Sequence, residues 1–297
     1  MLYPLKFTPL LIERVWGGDA LARYGKALPP GQRIGESWEI SDRDEAQSVV
    51  ANGSLQGQTL RQLVVSLGPE LLGTNCRKVH RFPLLLKLLD ARERLSLQVH
   101  PPATVAAKLG GEPKTEMWYI LDATPDAHLI AGLKHGTTRE QFTRDPAACV
   151  HSFPVRTGDT IFIPSGRVHA IDAGVVIVEI QQNSDTTYRV YDWGRVGRQL
   201  HLEQSLASID FNDFEPSPTP LPIRCDYFQV EKVEVAGEVT GRCDGSSFHV
   251  IACIAGKVSV GAEPMKPGDF VLLPATLGDY KLTGNGAVLR AFVPQSR

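Results

Sequence analysis

The sequence predicts a mainly β protein with some helix, built as two barrels of which the first carries the helical additions. Three observations lead to this prediction: short apolar runs separated by turn residues, a proline-rich linker at residues 216–222, and a turn-and-strand pattern that occurs twice. Many short strands at close spacing are typical of sandwiches and barrels rather than of alternating strand–helix units.

The linker divides the chain into two predicted domains. Residues 216–222 read PSPTPLP, and four prolines in seven residues exclude a helix or a central strand because proline lacks the N–H group and has a fixed φ. Such a segment favours an extended spacer. We therefore expect a first domain over residues 1–215 and a smaller second domain over residues 223–297.

The first predicted domain mixes strands with two helices. Apolar residues recur at helical spacing over residues 59–67 and 202–209, which predicts a short helix at each place. Short apolar runs bounded by Gly, Pro or Asp predict strands at residues 83–89, 95–99, 117–121, 128–131, 160–163 and 175–180.

The second predicted domain is almost entirely strand, with apolar runs at residues 248–254, 258–260 and 270–273. Residues 157–164 (TGDTIFIP) align with residues 267–274 (PGDFVLLP). In both segments a Gly-Asp turn leads into an apolar strand that ends at a proline. This internal similarity indicates two barrels of common ancestry.

Composition excludes several classes of function. With 31 basic and 33 acidic residues the formal net charge is −2, and no run of Lys or Arg predicts a nucleic-acid surface. The sequence has no stretch of about 18 apolar residues that would predict a membrane span, and its first residues do not resemble a signal peptide. The five cysteines are scattered and include no C-x-x-C pair, so we expect reduced thiols in a cytoplasmic protein.

The strongest chemical pattern runs from Gly158 to His169. Between them lie Pro164 and Gly166, so the segment reads as a turn, a strand, a second tight turn and a histidine at the start of the next strand. The pattern resembles the second signature of the cupin family, which consists of double-stranded β-helix barrels. The resemblance implies that His169 points into the barrel and binds a metal.

Candidate partner ligands lie upstream of that histidine. Gln98 and His100 are two residues apart, on one face of a predicted strand, and Glu116 follows His100 by sixteen residues. Two imidazoles, a carboxylate and an amide oxygen suit Zn²⁺, with Mn²⁺, Fe²⁺ or Co²⁺ as alternative occupants. A lone histidine on an apolar strand is usually a core residue, but two histidines in turn-flanked contexts favour a metal site.

Four stretches of the chain resemble the type I phosphomannose isomerases, a bicupin family that uses zinc to interconvert mannose 6-phosphate and fructose 6-phosphate. They are VWGG at residues 15–18 followed by IGESWEIS at 34–41, PLLLKLLDARERLSLQVHP at 83–101, KTEMWYIL at 114–121, and residues 164–195, which contain GRVHAI and EIQQNSDTTYRVYDWGR. The likeness covers most of residues 14–195 and is closest to the shorter bacterial branch. It implies a bicupin fold of two jelly-roll barrels.

The resemblance also implies roles for individual residues. The family's zinc ligands, one ion per chain, fall on the four candidate ligands above. Its active-site arginine falls on Arg189, and two lysines near the substrate fall on Lys87 and Lys114. A serine at the phosphate end of the family's site falls on Ser96. A further arginine or lysine at the phosphate end is expected, and the sequence does not identify it.

Aldose–ketose isomerisation passes through a cis-enediol, so it needs an electrophile at the carbonyl oxygen and a base for the carbon-bound proton. Arg189 would stabilise the enediolate or clamp the substrate. Lys114, pushed towards neutrality by the metal, would transfer protons, or would be a solvated lysine beside the pocket. Glu36 would line the site or support it, and Asp185 would help to open the sugar ring or be an ordinary turn residue. The sequence does not identify the base.

The second copy of the repeat lacks a full ligand set. Asp279 falls where His169 stands in the first copy, and His249 falls near the place of Glu116. Two ligands without a third make a poor metal site, so we expect this copy to be structural.

Two other functions stay open at this stage. One is a different metal-dependent barrel enzyme, such as an oxygenase, which would need an open facial triad. The other is a non-catalytic sugar-binding bicupin, for which the full ligand set would be unnecessary. The expected partner is a phosphorylated hexose, without nucleic acid or membrane, and we expect a monomer or a small homo-oligomer.

Overall fold

Two sheets make up most of the amino-terminal part of the chain in the computed structural model, which describes residues 2–76 and 79–295. The strands of this part are β1 (Phe7–Thr8), β2 (Leu10–Gly18), β3 (Ile34–Ile40), β4 (Asp42–Arg43), β5 (Ala46–Gln47), β6 (Val49–Val50), β7 (Leu84–Ala91), β8 (Leu97–Val99), β9 (Glu116–Ala123), β10 (His128–Leu133), β11 (Val150–Pro154), β12 (Thr160–Ile163), β13 (His169–Ile171), β14 (Val175–Gln182) and β15 (Tyr188–Tyr191).

The two sheets lie face to face and enclose the interior of the first barrel. One has six strands in the order β12-β9-β14-β7-β3-β2, and the other has five in the order β11-β10-β13-β8-β15. Trp118 and Ile177 from the first sheet share a buried cluster with Leu129 and Ile171 from the second. Two-stranded pairings of β1 with β6 and of β4 with β5 lie outside these sheets.

Both faces of the six-stranded sheet are covered, which explains the unbroken apolar runs of its central strands. All eight residues of β7 are buried. Because successive side chains of a strand point to opposite faces, Leu86 and Leu88 lie on one side while Lys87 and Leu89 face the barrel interior. The first side packs against the carboxyl-terminal part of the chain.

The helices are short and lie outside the sheets. They are α1 (Leu60–Leu67), α2 (Pro69–Leu72), α3 (Ala103–Ala106), α4 (Arg139–Arg144) and α5 (Leu202–Ser208), with single 3-10 turns at Ala20–Tyr24, Gly53–Leu55, Thr74–Cys76, Ala107–Leu109 and Ala147–Cys149. The helices predicted at residues 59–67 and 202–209 are confirmed as α1 and α5. A capping box formed by Thr59 and Gln62 starts α1. No helix among residues 2–76 and 79–295 is long and apolar enough to cross a membrane.

The carboxyl-terminal part is a single sheet of six strands. They are β16 (Ile223–Arg224), β17 (Gln229–Cys243), β18 (His249–Val260), β19 (Glu263–Met265), β20 (Phe270–Leu273) and β21 (Gly278–Phe292). The strands β17 and β21 pair along their full length, and one face of the curved sheet encloses its own apolar core. The predicted all-β character of this part, including the strand at residues 270–273, is confirmed.

A continuous core joins the two parts. Leu86 and Val178 of the first part belong to the same buried cluster as Val250 and Leu289 of the second. Near the start of the chain, Leu5 exchanges both backbone hydrogen bonds with Leu272, at 2.8 and 2.9 Å.

The proline-rich linker lies along the first barrel. It contains no helix or strand, as predicted, but the Thr219 N–H donates to the Thr160 carbonyl of β12 at 2.7 Å. We propose the same division of the chain as before, with a catalytic part over residues 1–215 and a second β part over residues 223–297, joined by a packed interface.

Candidate metal centre and substrate cavity

Three buried side chains with metal-binding atoms meet inside the first barrel. The donor atoms of His100, Glu116 and His169 all lie within 4.8 Å of one another. The Nε2 atom of His100 is 3.4 Å from one Glu116 oxygen, and that of His169 is 3.6 Å from the other. Within the described part of the chain, no other group of three His, Cys, Asp or Glu side chains converges in this way.

The strand ends of the barrel position these side chains. His100 directly follows β8, Glu116 begins β9, and His169 begins β13. Gly166 has a φ of 93°, in the left-handed region that favours glycine, and so makes the tight turn that delivers His169. Gln98 lies in β8 directly opposite His169. Gln98, His100 and His169 therefore come from two neighbouring strands of the five-stranded sheet, and Glu116 reaches them from β9 of the facing six-stranded sheet.

Backbone carbonyls fix the orientation of both imidazoles. The Nδ1 atom of His100 is 2.9 Å from the Thr186 carbonyl, and that of His169 is 2.9 Å from the Arg167 carbonyl. A neutral imidazole that donates from Nδ1 presents a lone pair at Nε2. Both Nε2 atoms are buried and have no hydrogen-bond partner within the described residues.

The two histidines are held in the neutral form that a metal requires. Burial, reinforced by the charge of Lys114, lowers the pKa of His100 to about 3. Burial also lowers the pKa of His169, against the opposing effect of Glu116. Buried lone pairs without partners are costly to a fold unless something binds them. The two imidazoles and the carboxylate therefore fit a divalent metal ion.

Lys114 is paired with the candidate metal ligand Glu116. Its Nζ atom lies 2.8 Å from a Glu116 oxygen, and both side chains are buried. Burial alone would lower the pKa of Lys114, but the charges of Glu116 and Glu179 outweigh it and raise the pKa above its usual value. The expectation of a lysine close to neutrality is therefore not supported by the protein's own charges, which stabilise the cation.

A cavity of about 510 Å³ opens beside the cluster. All the residues that the sequence placed near the substrate line it, together with three that the sequence did not single out. The predicted residues are Glu36, Lys87, Ser96, Gln98, Lys114, Asp185 and Arg189, and the additional ones are Arg14, Glu179 and Arg198. A larger cavity of about 610 Å³ lies elsewhere, beside Cys76, Asn183 and Tyr227. It contains no ligand cluster within the described residues, so we assign the chemistry to the smaller cavity.

Glu179 is the main residue that sequence reasoning missed. It stands opposite Lys87 on one side and Trp118 on the other, because β14 lies between β7 and β9. Lys87 Nζ is 3.2 Å from one carboxylate oxygen, and Trp118 Nε1 donates to the other at 3.0 Å. Burial, and then the charge of Glu116, raise the pKa of Glu179. The sequence did contain one sign of this residue: Glu179 is the only acid in the apolar run 175–180, which forms a strand with both faces covered.

Glu36 is held by cations rather than free in the cavity. Arg14 donates to both of its oxygens, at 3.0 and 3.3 Å, and Trp38 Nε1 donates at 2.6 Å. Burial would raise the pKa of Glu36, but Lys87 and Arg14 lower it to about 2. A permanently charged Glu36 therefore fixes the position of Arg14 and Lys87.

Arg189 is more buried than Asp185, although both line the cavity. Arg189 lies in β15 opposite Gln98, donates from Nη1 to the Gln199 carbonyl at 2.7 Å, and has a buried Nε atom without a partner in the described structure. Asp185 is exposed at the edge of the cavity.

The corresponding positions of the second copy do not form such a cluster. His249 stands opposite Leu273 just as Glu116 stands opposite Ile163, so the alignment of the repeats is confirmed by strand register. However, His249 is 2.9 Å from the Tyr280 hydroxyl through Nδ1, and the exposed Asp279 pairs with Arg242 at 3.0 Å. These contacts support the expectation of a structural role.

Comparisons with known proteins agree with this geometry. A family model described as phosphomannose isomerase type I, catalytic domain, matches residues 5–133, and one described as mannose-6-phosphate isomerase, cupin domain, matches residues 218–293. Mannose-6-phosphate isomerase ManA of Bacillus subtilis (strain 168) is 39% identical, over 95% of this chain and 96% of that protein. Mannose-6-phosphate isomerase of Streptococcus mutans is 33% identical, over 96% of each chain.

A solved structure shows the same overall fold. The crystal structure of mannose 6-phosphate isomerase from Bacillus subtilis superposes with a TM-score of 0.85 at 31% identity, covering 97% of this chain and 99% of that one. The predicted fold class, a bicupin with helices added to its first barrel, is confirmed by this likeness and by the family models.

Proposed function

Because the chain belongs to the type I phosphomannose isomerase family, we propose that it interconverts mannose 6-phosphate and fructose 6-phosphate in the cavity of the first barrel. One observation carries this assignment to the residues: two neutral imidazoles with unpaired Nε2 atoms converge on a carboxylate, next to a cavity that is lined by charged side chains. Metal-dependent isomerisation needs both parts, an electrophile and a set of groups that move protons.

The metal is proposed to be one Zn²⁺ per chain, with Mn²⁺, Fe²⁺ or Co²⁺ as alternatives. His100, Glu116 and His169 would hold it, and Gln98 would be the fourth protein ligand, since its side chain lines the cavity on the strand beside His169. Nitrogen and oxygen donors in this combination suit zinc. When bound, such an ion polarises substrate oxygens as a Lewis acid.

Glu179 is the proposed proton-transfer base. A general base works best when its pKa lies close to the operating pH, and burial moves the pKa of Glu179 upward in that direction. It would take the proton from C2 of mannose 6-phosphate and return it to C1. Lys87, held between Glu179 and Glu36, keeps the carboxylate in place.

Lys114 and Arg189 are proposed to act on the developing negative charge. Lys114 is a buried cation that lines the cavity, so it can donate a hydrogen bond to the oxygen on which the enediolate forms. Arg189 carries a permanent charge and a buried N–H group without a partner in the described residues, which suits it to the same task. Asp185, at the edge of the cavity, is proposed to help open the sugar ring, and Ser96 to bind the substrate.

The test is conversion of mannose 6-phosphate into fructose 6-phosphate by the purified protein, measured before and after chelation, with metal content determined on the same preparation. We expect turnover that is lost with the metal and restored by zinc. An oxygenase would instead consume O₂, and a binding protein would retain a sugar phosphate without converting it. Absence of isomerisation by metal-loaded protein would overturn the assignment.

A further inference from the structure

The two carboxylate oxygens of Glu179 have different surroundings. Trp118 Nε1 donates a hydrogen bond to Oε2 at 3.0 Å. Oε1 lies 3.2 Å from the Lys87 Nζ atom, yet it is buried and has no hydrogen-bond partner in the described part of the chain. One oxygen of Glu179 is therefore bound to a fixed donor, and the other can still accept a proton from a reacting group.

Strand register places the indole of Trp118 beside this carboxylate. Trp118 in β9 stands directly opposite Glu179 in β14, so both side chains lie on the face of the sheet that forms the barrel interior. Trp118 is fully buried, and the N–H group is the only hydrogen-bonding group of its side chain. A buried indole N–H usually has a partner, and here that partner is Glu179. The close packing of the ring therefore fixes the donor, and the donor fixes Oε2.

The same ring also contacts a metal ligand. The ring centroids of Trp118 and His169 are 5.4 Å apart and the ring planes are inclined at 73°, which is an edge-to-face arrangement. Trp118 therefore packs against the candidate metal centre and, through its N–H group, holds the proposed base. The indole relates the position of the Glu179 carboxylate to that of the metal centre.

A second indole in the cavity wall shows what is particular about this contact. Trp38 Nε1 donates to Glu36 at 2.6 Å, but Arg14 also donates to both oxygens of Glu36. Glu36 is therefore left without an oxygen that lacks a donor. At Glu179 the indole is the only hydrogen-bond donor to the carboxylate within the described residues, so that one oxygen is held and the other is left for chemistry.

We propose that Trp118 is a positioning residue for the isomerisation: its N–H group holds Oε2 of Glu179, and Oε1 is the oxygen that takes and returns the substrate proton. The inference rests on the proposed function, in which Glu179 is the base. The terminal torsion of a glutamate is broad, so without a fixed donor either oxygen could face the substrate. A neutral donor fixes this torsion without adding a cation, which would make the carboxylate a weaker base.

The proton transfer then runs through a single oxygen. Oε1 takes the proton from C2 of the open-chain aldose, the electron pair of the broken C–H bond forms the C1–C2 double bond, and the π pair of the carbonyl moves to O1. After the proton on O2 has passed to O1, the carbonyl forms at C2 and the electron pair of the double bond takes the proton back from Oε1 at C1. Oε2 stays bound to Trp118 throughout.

The experiment is a double-mutant cycle with Trp118→Phe and Glu179→Gln, with kcat, KM and metal content measured for every variant. Trp118→Phe removes the N–H donor and keeps an aromatic ring beside His169. It should lower kcat on the order of 10- to 100-fold, the range for a lost hydrogen bond to a charged group, while KM and metal content stay at wild-type values. In the Glu179→Gln background the same substitution should have almost no further effect, because the carboxylate that it positions is gone.

Trp193→Phe is the matched control. It also removes one indole N–H, but the acceptor of that group is the backbone carbonyl of Leu95. Because Trp193 does not contact Glu179 through this group, Trp193→Phe should change kcat by the same factor in both backgrounds.

The outcomes separate this inference from the function beneath it. Equal losses of kcat from Trp118→Phe in both backgrounds, an unchanged kcat, or a loss of metal overturns the positioning role of Trp118 alone. A Glu179→Gln enzyme with wild-type kcat overturns the assignment of the base, and a metal-loaded wild type that does not isomerise overturns the proposed function itself. If Trp118→Phe does not fold, Trp118→Met, which fills the space with a flexible apolar side chain, replaces it in the cycle and is judged by the same outcomes.

Discussion

The two copies of the repeat share a backbone but differ in chemistry. Ile163 of the first copy stands opposite Glu116, and Leu273 of the second stands opposite His249, so the same register serves both. In the first copy that position meets two histidines, whereas in the second it meets a tyrosine hydroxyl. The comparison shows that the barrel frame alone does not make a metal site. A metal site also needs buried donor atoms without partners, such as the Nε2 atoms of His100 and His169. In the second copy, His249 is paired with the Tyr280 hydroxyl instead.

The most direct test of this difference between the two copies is to give the first copy a residue of the second. We expect His169→Asp, which introduces the residue type of Asp279, to abolish stable metal binding and to lower turnover by on the order of 10³-fold, since a catalytic metal supplies several kcal/mol of transition-state stabilisation. His249→Gln, at the ligand-like position of the second copy, should keep full metal content. Metal analysis of both variants provides the check, and a metal-loaded His169→Asp protein would contradict the ligand set.

The next prediction separates metal binding from turnover. Arg189→Ala should keep its metal, because Arg189 is not one of the proposed metal ligands. The variant should lose about 2.7–4 kcal/mol of transition-state stabilisation, the usual cost of removing one charged donor at a developing oxyanion. Steady-state kinetics with metal analysis measure both. Arg242→Ala, which removes an exposed arginine of the second copy, is the control. Near-normal turnover of Arg189→Ala would assign Arg189 a structural role instead.

A smaller effect is expected from the support of one imidazole. The Thr186 carbonyl orients His100, and the Thr186 hydroxyl accepts the Glu112 N–H at 2.9 Å, which fixes that carbonyl. Thr186→Val should weaken metal affinity about 10- to 100-fold, as is usual for partners of metal ligands. Competition with a chelator measures this directly. Thr276→Val in the second copy should leave the affinity unchanged, and an unaffected Thr186→Val protein would show that His100 does not depend on this support.

The sequence predicted local elements well and long-range ones less completely. Strands β12 and β20 begin and end where the Gly-Asp turns and prolines predicted, because turn residues and apolar runs are local signals. The cluster of His100, Glu116 and His169 was identified from turns and strand periodicity together with the resemblance to the cupin signature, while the four-residue ligand set including Gln98 stays a prediction. The bicupin fold was identified through the family resemblance.

Residues missed by the sequence reasoning depend on contacts between distant segments. Glu179 acquires its environment from Lys87 and Trp118, which lie on two other strands, and no local pattern reveals that pairing. Arg198 stands out only once two facts are known: it shares the Asp192 carboxylate with Arg195, and it lies on the cavity wall. The packed interface between the two parts is also long-range, since the exchange between Leu5 and Leu272 joins residues far apart in the chain.

The last predicted effect is on stability rather than on activity. It concerns the second copy, where burial and not metal binding keeps His249 neutral. Burial, and then the charge of Arg290, lower the pKa of His249 from 6.5 to about 4. Since the unfolded chain binds this proton more readily, His249 makes the folded state lose stability as the pH falls from 6.5 towards 4, by at most about 3 kcal/mol at roughly 1.36 kcal/mol per unit of pKa.

Replacing His249 with leucine removes that proton-binding group, so His249→Leu should lose less thermal stability than wild type between pH 6.5 and pH 4, the window given by the two pKa values. The measurement is Tm as a function of pH for both proteins, each compared with its own value at pH 6.5. Removal of the exposed His80 by His80→Leu should leave the wild-type pH dependence unchanged, because its imidazole lies in solvent. If wild type and His249→Leu show the same loss of Tm, His249 is not held neutral by the fold. The second copy would then retain an imidazole that can be protonated, and the contrast with the first copy would be weaker than the structure indicates.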